Sequence, residues 1–140
     1  MIMTQDQERN LPQPNILIVG ADPKIRQRLR YAFEPRGISY ESASSAKEAL
    51  KKLDDGEPPI TGVLTCALQG DYPKVLEAAR GIGAQAVLMT RSSMTLQKAH
   101  EEATPAYLIG QLAGRTREGN ETIGKLIMDL SPTLEMSPDL

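Results

Sequence analysis

The sequence predicts an α/β fold, a single domain in which a five-stranded parallel sheet carries helices on both faces as a three-layer sandwich. Three observations lead there. The stretch Asn15-Ile16-Leu17-Ile18-Val19 holds four consecutive apolar residues, three of them β-branched, and a strand without polar alternation has to be covered on both faces. It runs into Gly20-Ala21-Asp22-Pro23, a tight turn and then a helix start. Asp22 caps that helix, and Pro23 takes its first position, where a missing N–H leaves no bond unmade. Four more short strand-like runs then alternate with segments of helical spacing, an order that implies right-handed crossovers and parallel pairing.

Residues 1–14, rich in Gln, Asp, Glu, Asn and Pro, read as a flexible tail, and the domain proper spans 15–130. After the first strand, Ile25, Leu29, Ala32 and Phe33 recur at helical spacing while Arg26, Arg28 and Arg30 face away, and Gly37 ends the helix. Residues 38–43 form the second strand. Ser44 or Ser45 caps a second helix with Ala46, Ala49, Leu50 and Leu53 inward, stopped by Asp54-Asp55-Gly56. Pro58 and Pro59 make a connector that cannot pair in a sheet, and Gly62-Val63-Leu64-Thr65-Cys66 is the third strand. Beyond a loop over 67–72, Pro73 starts a helix striped by Val75, Ala78, Ala79 and Ile82. Ala86-Val87-Leu88-Met89-Thr90 follows as the fourth strand. A fourth helix over 95–103 turns Leu96, Ala99 and Ala103 inward, and Ala106-Tyr107-Leu108-Ile109 is the fifth strand. Residues 110–119 read as an open loop, Asn120 as the cap of a fifth helix lined by Ile123, Leu126, Ile127 and Leu130, and 131–140 as a flexible tail or linker.

Composition excludes several classes of function. A net charge of −2 over 140 residues creates no field that would draw nucleic acid or an anionic membrane to the chain, and no apolar stretch is long enough to span a bilayer. The first fourteen residues lack the basic-then-apolar pattern of a secretion signal, so the expected location is cytoplasmic. One cysteine cannot form an internal disulfide, and one His beside one Cys leaves little for a zinc site; neither metal nor cofactor is expected. At 4% aromatic residues without Trp, a base-stacking surface is not expected either.

Four phrases, in order and at matching spacing, resemble the receiver domain of bacterial two-component response regulators across residues 15–130. The strand-to-helix entry is Ile16-Leu17-Ile18-Val19-Gly20-Ala21-Asp22-Pro23, and the second-helix phrase is Ala43-Ser44-Ser45-Ala46-Lys47-Glu48-Ala49-Leu50. The fourth strand closes on a hydroxyl residue as Val87-Leu88-Met89-Thr90, and the fifth reads Tyr107-Leu108-Ile109. The resemblance implies the flavodoxin-like (CheY-like) topology. It also implies a phosphorylation site, and there the residues depart from the family. The two acidic positions that hold Mg²⁺ are Gly20 and Ala21. The phosphate-accepting Asp aligns with Cys66, or with Thr65 one register away, and the conserved Lys of the family aligns with Gly110. Only the switch pair, Thr90 and Tyr107, is kept. Phosphoryl transfer needs a nucleophile, a divalent ion and a fixed cation, and hard Mg²⁺ needs carboxylate oxygens that Gly20 and Ala21 do not offer. Asp22 falls one residue late and serves as a cap, while Asp71 reads as a turn or capping residue before Pro73.

Several residues carry two readings. Cys66 is either a thiolate activated near a helix start or a small buried residue filling the space of the lost acidic pocket. His100 is a pH sensor or a partly covered helix residue. Thr90 and Tyr107 form a moving pair or are simply strand formers. Arg26, Arg28 and Arg30 face an acidic partner or only solvent, and the glycines around Arg115 and Arg117 cradle an anion or form a plain loop.

These readings converge on a degenerate receiver, a pseudo-receiver that is not an enzyme and works by partner binding independently of phosphorylation. The resemblance places its contact face on the fourth helix, fifth strand and fifth helix, with Gln97, Lys98, Glu101, Glu102, Tyr107, Lys125 and Asp129 as contacts. The partner is another signalling protein or a second copy of the chain, with no direct contact to nucleic acid or membrane. One alternative is a small-molecule-binding domain with its ligand at the strand ends; another is residual phosphotransfer through a shifted Asp. A filled strand-end space favours the first reading, and an open apolar cleft favours a ligand.

Overall fold

The computed structural model describes residues 14–55, 59–66, 71–111 and 117–130. The elements alternate as β1 (Asn15–Val19), α1 (Pro23–Phe33), β2 (Ser39–Ala43), α2 (Ala46–Asp55), β3 (Gly62–Cys66), α3 (Tyr72–Gly81), β4 (Gln85–Thr90), α4 (Ser93–Glu101), β5 (Ala106–Leu108) and α5 (Arg117–Leu130). Short 3₁₀ turns occupy Glu34–Arg36 and Ile109–Gln111. The sheet runs β2-β1-β3-β4-β5 with every pairing parallel, and β1 is bonded on both sides, Leu17 lying opposite Glu41 and Val63. β1 and β3 are buried throughout, whereas edge strand β2 is half-exposed and correspondingly polar, Ser39-Tyr40-Glu41-Ser42.

Period-two alternation divides the core. Ile16 and Ile18 of β1 pack with Leu64 and Cys66, Val87 and Met89 beneath α1 and α5. Leu17 and Val19 turn the other way, with Val63 and Ala86, beneath α2 and α3. α4 covers Leu88 and Ala106 through Ala99. The five strands, their order along the chain and the two helical layers are therefore those the sequence predicts.

The caps explain where the helices begin. Asp22 Oδ1 accepts from Ile25 N at 2.9 Å, with Pro23 in the first turn. Ser45, not Ser44, caps α2 by accepting from Glu48 N at 3.2 Å, while the Glu48 carboxylate reaches back to Ser44 N at 2.8 Å. Ser92 caps α4, accepting from Thr95 N at 3.2 Å, so this helix starts two residues before the expected Thr95. Gly37, at φ +69°, ends the α1 region as expected.

Other expectations need correction. Ile38 belongs to the helix exit, its N–H donating to Phe33 O at 3.2 Å, and β2 opens at Ser39. Ile82 lies past the end of α3 and is 49% exposed; Leu76 takes its place in the stripe. Ile109 enters a 3₁₀ turn instead of extending β5. α5 begins at Arg117, so Asn120 is not a cap but a second-turn residue whose Oδ1 accepts from Arg28 Nη2 at 2.6 Å. Residues 112–116 of the expected loop, and the tails over 1–13 and 131–140, lie outside the described residues.

Ala103, expected to face inward, is exposed and stands at φ +59°. It ends α4, with its N–H donating to His100 O at 3.1 Å and Thr104 N to Ala99 O at 2.8 Å. This is the hydrogen-bonding pattern of a glycine-terminated helix with a Cβ in the left-handed position. Ala103→Gly is expected to raise stability by about 0.5–1 kcal/mol, a rise of a few degrees in thermal midpoint. An unchanged or lower midpoint would mean the left-handed backbone carries no strain here.

Candidate functional site

Parallel strands deliver their C-terminal ends to one edge of the sheet, where open α/β folds place their ligands. At the end of β1, Gly20 adopts φ +74° and donates its N–H to Ala43 O at 2.8 Å, turning the chain toward Asp22. Asp22 has both carboxylate oxygens engaged: Oδ1 caps α1, and Oδ2 accepts from Arg91 Nη2 at 3.2 Å. Arg91 follows β4 directly, so this ion pair ties the end of β1 to the end of β4 across the site. Cys66 closes β3 at 8% exposure. Thr90 is buried, and its Oγ1 accepts from Ser92 N at 3.1 Å.

Between these groups lies a cleft of about 360 Å³ lined, among the described residues, by Gly20, Asp22, Ile25, Cys66, Thr90, Arg91, Ser92, Thr95 and Ile109. Three of the five expected positions, Gly20, Cys66 and Thr90, thus meet in one place. Ala21 lines a separate, neighbouring cleft with Arg26, Ser42, Ala43, Ser44 and Glu48, which Gly20 also borders. Gly110, exposed in the turn after β5, lines neither. Thr65 is buried outside both clefts and donates to Cys66 O at 2.9 Å, so the position at the strand end is held by Cys66. Cys66 is buried, but it does not fill the strand-end space, which remains open. Sequence reading missed Arg91, Ser92, Thr95 and Ile109.

Burial pushes the Cys66 thiol up to about 11, with the negative charge of Asp22 adding to the effect and Arg91 opposing it. The thiol is therefore protonated at neutral pH. Its contribution to stability is present below the ordinary thiol value near 9 and is lost as the pH rises toward 11. At pH 8, iodoacetamide is expected to alkylate the folded protein roughly a hundredfold more slowly than the urea-unfolded chain. Equal rates would show an accessible thiol of ordinary acidity, and a faster reaction of the folded protein an activated thiolate.

The Mg²⁺ that the resemblance implies does not fit these residues. Gly20 and Ala21 present no side-chain oxygen, Cys66 offers a protonated soft donor, and the sole carboxylate lining the cleft among the described residues, Asp22, is already bonded on both oxygens. Among the described residues no group of three or more His, Cys, Asp or Glu could hold a metal.

The two switch-like residues have separate partners. Tyr107 lies opposite Met89 and packs against the α1/α5 layer, and its hydroxyl donates to the Asp129 carboxylate. Burial, then that bond, raises the Tyr107 pKa well above the ordinary phenol value. Thr90 lies opposite Leu108 with its oxygen committed to Ser92. On the expected interaction face, Gln97, Lys98, Glu101, Glu102 and Lys125 are exposed, whereas Tyr107 and Asp129 are half-buried and bonded to each other. His100 is exposed, with Nε2 at 3.3 Å from Ala106 O. Arg30 pairs with Glu34 at 2.8 Å and Arg117 with Glu121 at 3.4 Å, both on the surface; Arg115 lies outside the described residues.

Comparison of the whole structure with solved structures gives a consistent neighbourhood. A response regulator receiver protein from Sinorhizobium medicae superposes with a TM-score of 0.65 at 17% identity, covering 88% of this chain and 95% of that one. The fold is that of response-regulator receiver domains. CheY6 from R. sphaeroides, solved in complex with the P1 domain of CheA3, has a TM-score of 0.64 at 16% identity and covers 86% of this chain and 98% of the other. A de novo designed Rossmann 2x3 protein reaches a TM-score of 0.62 at 10% identity, covering 87% and 91%, so the likeness speaks to the receiver architecture and its Rossmann-like relatives. No family model matches the sequence, and no curated protein matches it. Among the described residues no helix is long and apolar enough to cross a membrane.

Proposed function

We propose that this chain is a degenerate receiver, a non-enzymatic signalling module that acts by protein–protein contact and takes no aspartyl phosphoryl group. The observation that carries this reading is the Asp22–Arg91 ion pair at 3.2 Å. The lone carboxylate of the cleft among the described residues is neutralised by a cation of the chain itself, where the resemblance calls for acidic residues free to take up a metal. Its partner is another signalling protein, as the complex of CheY6 with a CheA3 domain illustrates for a protein of this fold, or a second copy meeting it through α4, β5 and α5. The exposed Gln97, Lys98, Glu101, Glu102 and Lys125 form the contact surface, and the Tyr107–Asp129 bond fixes β5 to α5 behind it.

The test is an amide NMR titration of the full chain with Mg²⁺ and then beryllofluoride, which mimics an aspartyl phosphate. The resonances of Gly20, Asp22, Cys66 and Thr90 are expected to stay in place. Saturating shifts at these positions overturn the reading. Shifts centred on Asp71, which is exposed and makes no side-chain cap bond to α3, overturn it in favour of phosphotransfer through a shifted Asp.

A further inference from the structure

We infer that the strand-end cleft binds a small neutral molecule, an apolar ring or short chain bearing a carbonyl-type hydrogen-bond acceptor, and that this ligand biases the module in place of a phosphoryl group. The inference rests on the proposed function and names the regulation of the same site. The cleft's size, about 360 Å³, sits at the lower end of the roughly 300–1,000 Å³ typical of small-molecule sites. Its apolar lining comes from Ile25, Cys66 and Ile109, the thiol being neutral. Its polar side holds three hydroxyls, those of Thr90, Ser92 and Thr95. Thr90 Oγ1 and Ser92 Oγ each accept a backbone N–H, from Ser92 and Thr95, so each hydroxyl proton remains to be donated. Such a rim calls for an acceptor on the ligand.

Charge selects further. Among the described residues, the charged groups lining the cleft are Asp22 and Arg91, which cancel. An anion would gain Arg91 only by taking it from Asp22 and would then face that carboxylate; a neutral ligand leaves the pair intact. The cleft also joins two helix starts, Ile25 in the first turn of α1 and Thr95 in that of α4. A molecule seated there touches the helix that carries Gln97 and Lys98 on the proposed contact face, and favours whichever α4 position it contacts better.

The experiment titrates the full chain, followed by amide NMR, with two neutral probes, caprolactam and coumarin, and two anionic ones, benzoate and inorganic phosphate. The neutral probes are expected to move Gly20, Ile25, Cys66, Thr90 and Thr95 and to saturate at millimolar concentration, with anions at least about tenfold weaker. Thr95→Trp, placed at the half-exposed mouth of the cleft, is expected to weaken the neutral probes at least about tenfold while leaving the fold's spectrum in place. A milder variant, Thr95→Val, removes only the hydroxyl donor and is expected to weaken coumarin severalfold. The inference is overturned if both neutral probes leave these amides unmoved at about 20 mM, if phosphate or benzoate binds as well or better, or if both Thr95 variants bind unchanged. Beryllofluoride separates the two readings: shifts with it defeat the proposed function, whereas silence from it and from the neutral probes defeats this inference alone.

Discussion

Phe33→Ala is expected to cost about 3–5 kcal/mol, a large part of the roughly 5–15 kcal/mol that holds a domain of this size together. Phe33 is fully buried, the largest such side chain, and the chain's sole phenylalanine in a sequence without Trp. It closes α1 against the first core layer, beside Ile16, Leu29 and Leu130, and its ring meets Tyr40 of β2 at 5.9 Å between centroids, tilted by 58°. Its carbonyl also receives Ile38 N, so a shift of the backbone around the cavity disturbs the entry into β2. Urea unfolding followed by circular dichroism measures the loss; a change below about 1.5 kcal/mol would mean that the layer collapses around the missing ring.

Gly62→Ala is expected to be the next most damaging change, at about 2–3 kcal/mol. Gly62 opens β3 at a place where α5 finishes, and a Cβ there would stand 2.9 Å from the Leu130 carbonyl oxygen and 2.9 Å from Ile16 Cδ1. The isoleucine terminus can swing away, but the carbonyl belongs to backbone. Either α5 retreats from the sheet or β3 loses its register with Ile16 and Gln85. Gly81→Ala is the control, since nothing lies within 4 Å of its added Cβ, and it should leave stability unchanged or slightly raised. Equal effects of the two substitutions, by urea unfolding, would refute the steric account.

The fold was legible because its signals are local. Val19 to Pro23 spells strand, turn, cap and helix within five residues, and the Ile25-Leu29-Phe33 stripe is a single helix face. Where local signals were weak, the boundaries moved. α5 starts at Arg117, and in sequence Thr116 directly before it is as good a capping type as Asn120, so residue type alone does not decide between the two starts. Ala103 occupies a position normally marked by glycine, and nothing in its type betrays a positive φ.

The site was legible only as a set of strand ends. Gly20, Cys66 and Thr90 follow from the resemblance, but the ion pair that defines the cleft joins residues sixty-nine apart in sequence. Asp22 reads as a cap, and Arg91 falls between the fourth strand and the fourth helix with no role assigned; only the sheet order, with β3 alone between β1 and β4, brings them together. The Tyr107–Asp129 bond escaped for the same reason. Each reads as a surface contact of its own, and only the fold shows the Tyr107 hydroxyl donating to the Asp129 carboxylate.

The first core layer also has a consequence for how the protein is made. Ile16 and Ile18 are made well before the side chains that complete their cover, Ile123, Leu126, Ile127 and Leu130, which come at the far end of the described chain. At ~5–20 residues per second, residue 16 waits roughly 5–20 s for residue 123. Throughout that interval the nascent chain carries a β-branched apolar run with one face bare on the ribosome, the kind of segment that chaperones hold. The sheet is completed not by its first strands but by the arrival of the last helix.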